Sequence, residues 1–162
     1  REYHDLWLEI PVLGIESPIV GVPLDADGWD VTWLGDQAGY LDGTAFPTWR
    51  GNSVITGHAA LSSGLPGPFA RLEDLGYGGR VIVHGWGARS IYEVREVDLV
   101  RPDDPSIFRH EERSWITLMT CQGYDELTGS YRWRLVVRAV LTRIEADADL
   151  TGQVSRGTGN NE

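Results

Sequence analysis

The chain has one cysteine and one methionine in 162 residues, 14 basic side chains against 24 acidic ones, and no long apolar run. A lone thiol excludes any disulfide within the chain and any zinc site built from several thiolates. The shortage of Lys and Arg, with a net charge of -10, excludes the clustered basic surface that phosphate backbones require. An anionic membrane surface is disfavoured by the same sign. No segment approaches the ~18 apolar residues of a membrane-spanning helix, and no signal-peptide pattern opens the chain. It starts at Arg1, so a processed or truncated form is expected.

Glycine and proline, by contrast, are plentiful, at 20 and 8 residues. They separate short segments rich in Val, Ile, Leu, Tyr and Trp, the pattern of strands bounded by turns. Strands are expected at "LWLEI", "PIVGV", "VTWL", "NSVIT", "RVIVHG", "SIYEVREVDLV", "WITLMTC" and "RLVVRAVLTRI". Only "PGPFARLEDL" reads as a short helix, opened by proline and followed by glycine. The end of the chain, "ADADLTGQVSRGTGNNE", is polar and has little to bury. The expectation is one all-β domain over 1–146, a barrel or sandwich with one or two short helices, and a disordered tail over 147–162.

Alternation along the strands assigns faces. In "WITLMTC", Ile116, Leu118 and Thr120 share one side, and Thr117, Met119 and Cys121 the other. In "RLVVRAVL", Leu135, Val137, Ala139 and Leu141 form an apolar core face, which turns Arg134, Val136, Arg138 and Val140 outward. If Ile116 and Leu118 face inward, Cys121 faces outward, where a thiol can react. Antiparallel pairing of the two strands brings Cys121 and Arg134 together, with "QGYDELTGSYRW" as a long connecting loop. In "SIYEVREVDLV" the apolar parity changes between Val94 and Val97, so a β-bulge is expected near Arg95 or Glu96.

A reactive thiol needs a base nearby. His4 and His110 lie in charged segments and read as solvated, while His84, in "VIVHGWG", reads as a hydrogen-bonded structural residue. His58 differs, because it stands where the strand "NSVIT" runs into the flexible "AALSSGLPGP".

These residues carry a resemblance. "TLMTC" resembles the TLxTC signature of sortases, the cysteine transpeptidases of bacterial cell surfaces, and "TGH" after an apolar strand is similar to the segment that holds their histidine. An arginine on the strand after the cysteine completes the family's set, and Arg134 stands in that place. The resemblance covers roughly residues 6 to 145. It implies an eight-stranded β-barrel, and a membrane anchor that this chain lacks. The catalytic residues would be His58, Cys121 and Arg134, with Thr120, Met119 and Val136 lining a substrate groove. Neither metal nor organic cofactor is implied.

The implied chemistry is cleavage of an LPxTG-like sorting signal through a thioester on Cys121, then transfer of the acyl group to an amine of a cell-wall precursor or pilin. His58 would serve as acid and base, and Arg134 as the oxyanion or backbone donor. Arg132 and Arg138 share the outward parity and compete for the arginine's part. Two other readings of the residues remain open at this point: a cysteine peptidase with the same dyad, and a non-catalytic barrel whose seven Trp form core or binding surface. The N-terminal part has no evident inhibitory lid, which favours a general anchoring enzyme over a pilin polymerase.

Overall fold

A computed structural model describes residues 6–147. Ten strands are present: β1 (Trp7–Ile10), β2 (Ile15–Val22), β3 (Leu24–Asp25), β4 (Gly28–Trp29), β5 (Ala38–Leu41), β6 (Gly51–Thr56), β7 (Arg80–Gly85), β8 (Ala88–Val100), β9 (Ser114–Asp125) and β10 (Ser130–Ala146). Eight of them close a barrel in the order β1-β2-β5-β6-β9-β10-β8-β7, and β3 and β4 form a separate hairpin. The β2–β5 and β6–β9 pairs are parallel and the other barrel pairs antiparallel. Closure leaves the barrel with no open sheet edge. Among the described residues the helices are three 3-10 turns, at Pro11–Leu13, Leu72–Asp74 and Pro105–Phe108.

The barrel interior holds Leu8, Ile10, Ile55, Val81, Tyr92, Ile116, Leu118, Leu135, Val137 and Ala139 among others, all buried. The inward parity read from β9 and β10 is therefore the observed one. A second cluster, Val22, Leu34, Leu41, Val54, Ile107 and Val136, lies apart from the interior, with Val31 and Met119 packed against it. Loop 30–36 and the Pro105–Phe108 turn thus cover part of the outer wall. This is why every residue of β6 is buried, and why Val136, Arg138 and Val140 are buried although they alternate with the core face.

Several expected elements differ. "VTWL" forms turns and not a strand, because Asp30 Oδ1 accepts the Thr32 amide at 3.0 Å and the Thr32 hydroxyl at 2.6 Å, an Asx turn that competes with extension. The two-residue β3 and β4 were not expected, and the barrel strand missing from the expected set is β5, whose "AGYL" is short and carries Gly39. A Cβ there would stand 2.7 Å from Val22 and 2.8 Å from Leu34. "PGPFARLEDL" is not an α-helix: its amides reach back three residues, from Ala70 to Gly67, Leu72 to Phe69, Asp74 to Arg71 and Leu75 to Leu72.

The connection after Cys121 is also no loop. β9 and β10 continue as a ribbon to the Asp125–Ser130 pair, closed by a tight turn. The expected bulge is present: Arg138 pairs with Glu96 and Ala139 with Val94, which leaves Arg95 as the extra residue. At the chain's end, Ala146 pairs with Ala88, and Asp147 donates its amide to Gly87 O at 2.9 Å. The ordered unit therefore extends through Asp147. The rest of the expected tail, 148–162, lies outside the described residues.

Candidate active site

Cys121 sits within β9, half-buried, between two neighbouring strands. On one side β10 pairs Arg134 directly with Cys121. On the other, parallel β6 runs in a register that sets Val54 beside Thr117 and Thr56 beside Met119. The Gly57 amide donates to Met119 O at 3.2 Å, and the Thr120 hydroxyl donates to Gly57 O at 2.8 Å. The strand pairing ends at Thr56, and these two bonds hold Gly57 against Met119 and Thr120, so His58 follows directly after the last residue tied to the β9 segment that ends in Cys121. Strands lie about 4.8 Å apart, so Arg134 flanks the cysteine on the β10 side. Paired residues share a face, and Cys121 and Arg134 stand on the outer one.

Close packing seats His58. Its carbonyl accepts the Phe69 amide at 3.1 Å, and a Cβ on Gly67 would collide with that same carbonyl. A Cβ on Gly57 would meet the Phe69 ring at 2.8 Å. The His58 ring is oriented from the covering loop: Nε2 lies 2.8 Å from Val31 O. A carbonyl only accepts, so Nε2 carries the hydrogen and Nδ1 is left for chemistry. Nothing in the sequence marks a backbone carbonyl for this purpose. Gly67, by contrast, is visible in "PGP", though its partner is not.

Burial pushes the Cys121 thiol above its ordinary range, and the Arg134 charge opposes this by favouring the thiolate. Arg134 is half-exposed, and its Nη1 donates to Trp133 O at 3.2 Å. The competing arginines are engaged elsewhere. Arg138 is 3% exposed, donates to Ser106 O and pairs with Glu96 at 3.7 Å. Arg132 lies in β10, not in a loop, and pairs with Asp125 at 3.0 Å.

The expected groove residues fare differently. Thr120 and Val136 are buried and offer no surface to a peptide. Thr120 faces the barrel side and spends its hydroxyl on Gly57 O, while Val136 belongs to the second apolar cluster. Only Met119 remains half-buried. His84 is buried between Glu9 (Nε2 to Oε1, 2.8 Å) and Asp147 (Nδ1 to Oδ2, 2.9 Å), and stacks on Trp7 at 3.7 Å. His110 is exposed beside Glu112. His4 lies outside the described residues. Among those residues no cluster of three or more His, Cys, Asp or Glu could hold a metal ion.

A closed eight-stranded barrel with a half-buried thiol paired to an arginine on its wall is a sortase-like arrangement, and the comparisons agree. The family model of the sortase domain matches residues 8–142, and the chain belongs to the sortase family. Sortase A of Corynebacterium diphtheriae, solved as a lid mutant, is 28% identical with a TM-score of 0.71, over 91% of this chain and 74% of that one. Sortase C-1 of Actinomyces oris is 29% identical with a TM-score of 0.69, over 85% and 73%. The sortase D5 transpeptidase of Clostridium perfringens shares the fold at 20% identity and a TM-score of 0.68, over 86% and 79%. No curated protein matches.

Membership implies cysteine transpeptidase activity at the bacterial cell surface, on sorting-signal substrates and amine nucleophiles. No helix among the described residues is long and apolar enough to cross a membrane.

Proposed function

We propose that this sortase cleaves an LPxTG-like sorting signal with Cys121 as nucleophile, His58 as acid and base, and Arg134 as the donor to the developing oxyanion. The observation that carries the reading is register: strand pairing sets Arg134 against Cys121, and the reading is supported by the parallel β6–β9 pairing, whose last ties, at Gly57, come one residue before His58. The Cys121 thiolate attacks the scissile carbonyl, the tetrahedral oxyanion collapses, and the amine departs with a proton from His58. The thioester remains on Sγ. An incoming amine then loses a proton to His58 as it attacks the thioester and releases Cys121.

The raised thiol makes the thiolate a minority at neutral pH, so Arg134 has two duties: it favours the thiolate and it donates to the oxyanion. The substrates are the sorting-signal peptide of a surface protein and an amine of a cell-wall precursor or pilin. Residues through Asp147 form the catalytic unit.

Product analysis tests the reaction class. An LPxTG-like peptide incubated with an amine should yield the amide, at the expense of the free acid formed without it. Free acid as the sole product at saturating amine would make the protein a cysteine peptidase.

A further inference from the structure

The hairpin from β7 to β8 turns on Trp86 and Gly87, with Gly85 paired to Ala88. Their φ angles are 50° and 76°, the left-handed pair that a two-residue turn requires and that Asn-Gly supplies readily. A bulky side chain is a genuine outlier there. Among the described residues, the other non-glycine position with positive φ is Thr48, at 82°. Thr48 is anchored in this conformation, since its amide donates to the buried Tyr92 hydroxyl at 3.0 Å.

Both strained residues line the same cavity of about 410 Å³, together with Phe46 and Trp49. Phe46 stands between the indoles, 5.5 Å from Trp49 at 56° and 5.8 Å from Trp86 at 51°. Trp49 is 68% exposed and Trp86 52%, so neither strained turn is repaid by burying its tryptophan. Strained backbone clusters at ligand clamps, and the Trp86 turn carries its strain at the surface. This turn is remote from Cys121. Arg134 pairs with Val100 at one end of the β8–β10 ribbon and Ala146 with Ala88 at the other, about 40 Å of strand at roughly 3.3 Å per residue.

We propose that Phe46, Trp49 and Trp86 form a binding site for a trimethylammonium group of a soluble molecule. Aromatic faces attract a cation through their quadrupoles, most strongly with tryptophan. The Thr48 hydroxyl is the one acceptor among the lining side chains, so most N–H donors of an ordinary ammonium would go unmet there; a permethylated cation has none. The net charge of -10 attracts cations and repels anionic ligands.

The test is titration of the protein with choline chloride, against ammonium chloride at equal ionic strength, read by NMR of the seven indole N–H groups. Choline should shift the Trp49 and Trp86 resonances saturably, and ammonium should not. Trp49→Ala should weaken choline about fivefold to thirtyfold. Trp86→Asn should weaken it similarly while raising Tm, since it creates an Asn-Gly turn, and both variants should cleave sorting peptide at the wild-type rate. Equal responses to the two salts would overturn the proposal. So would a Trp86→Asn variant that melts lower and binds choline unchanged. Binding to phosphatidylcholine vesicles without binding to choline would also overturn it, and would assign the tryptophans to a lipid surface.

Discussion

Arg134 and Arg138 share a strand and a face, yet their surroundings differ. Arg134 is half-exposed beside Cys121, whereas Arg138 is buried against Ser106 O and Glu96. Arg134→Ala should lower kcat/KM by about 100-fold or more, the scale of a lost oxyanion donor, with the melting curve little changed. Arg138→Ala should instead destabilise the fold by about 1.5–3 kcal/mol, because it removes a charged donor from Ser106 O, while Glu96 keeps its pair with Arg109. Steady-state kinetics with thermal denaturation of both variants separate the two, and the reverse pattern would exchange their roles. The Cys121 thiol provides a second check. Burial raises it and Arg134 lowers it, so alkylation by iodoacetamide should be slow at neutral pH and accelerate well into the alkaline range. Arg134→Ala should move that rise to still higher pH; a move to lower pH would mean that Arg134 does not act on the thiolate.

At the scale of elements, β9 and β10 were legible because strict alternation and a long apolar parity leave one register that buries the core face. Even the bulge at Arg95 is written as a change of parity. Loop 30–36 was not legible. Its "VTWL" has strand composition, but the Asp30 side chain turns it, and Leu34 is then buried beneath the loop with Val31 facing His58. Burial of Val136 escaped for the same reason, since alternation tells inside from outside of a barrel and not whether a loop covers the outside, whereas Thr120 is buried on the inward face that it shares with Ile116 and Leu118. The seat of His58 depends on Gly67, where any Cβ strikes the His58 carbonyl. Gly67→Ala should therefore displace His58 and lower kcat/KM at least about tenfold, with the Cys121 alkylation rate less affected. An unchanged kcat/KM would show that this contact does not position the histidine.

Across the whole molecule, the two ends of the described chain meet far from the site. His84 bridges Glu9 of β1 and Asp147 after β10, and Trp7 covers its ring. This tie brings the first strand, the seventh and the end of the last together where the barrel closes between β1 and β7. Asp147→Ala removes a hydrogen bond with a charged partner, a loss of about 1.5–3 kcal/mol, so Tm should fall by roughly 3–12 °C for a domain of this size. Its kcat/KM at 25 °C should stay near wild type, because the tie lies at the opposite end of the β8–β10 ribbon from Cys121. A large loss of activity without a loss of Tm would contradict that separation.

The central claim is that Cys121 carries the acyl group while His58 and Arg134 act on it. Intact-protein mass spectrometry of the enzyme mixed with an LPxTG-like peptide, quenched in acid within one turnover, tests it most directly. The predicted result is a thioester adduct on Cys121 that disappears when an amine is added, is absent in Cys121→Ala, and forms far more slowly in His58→Ala and Arg134→Ala. An adduct that forms at the wild-type rate in either of those two variants, or that persists in Cys121→Ala, would contradict the account.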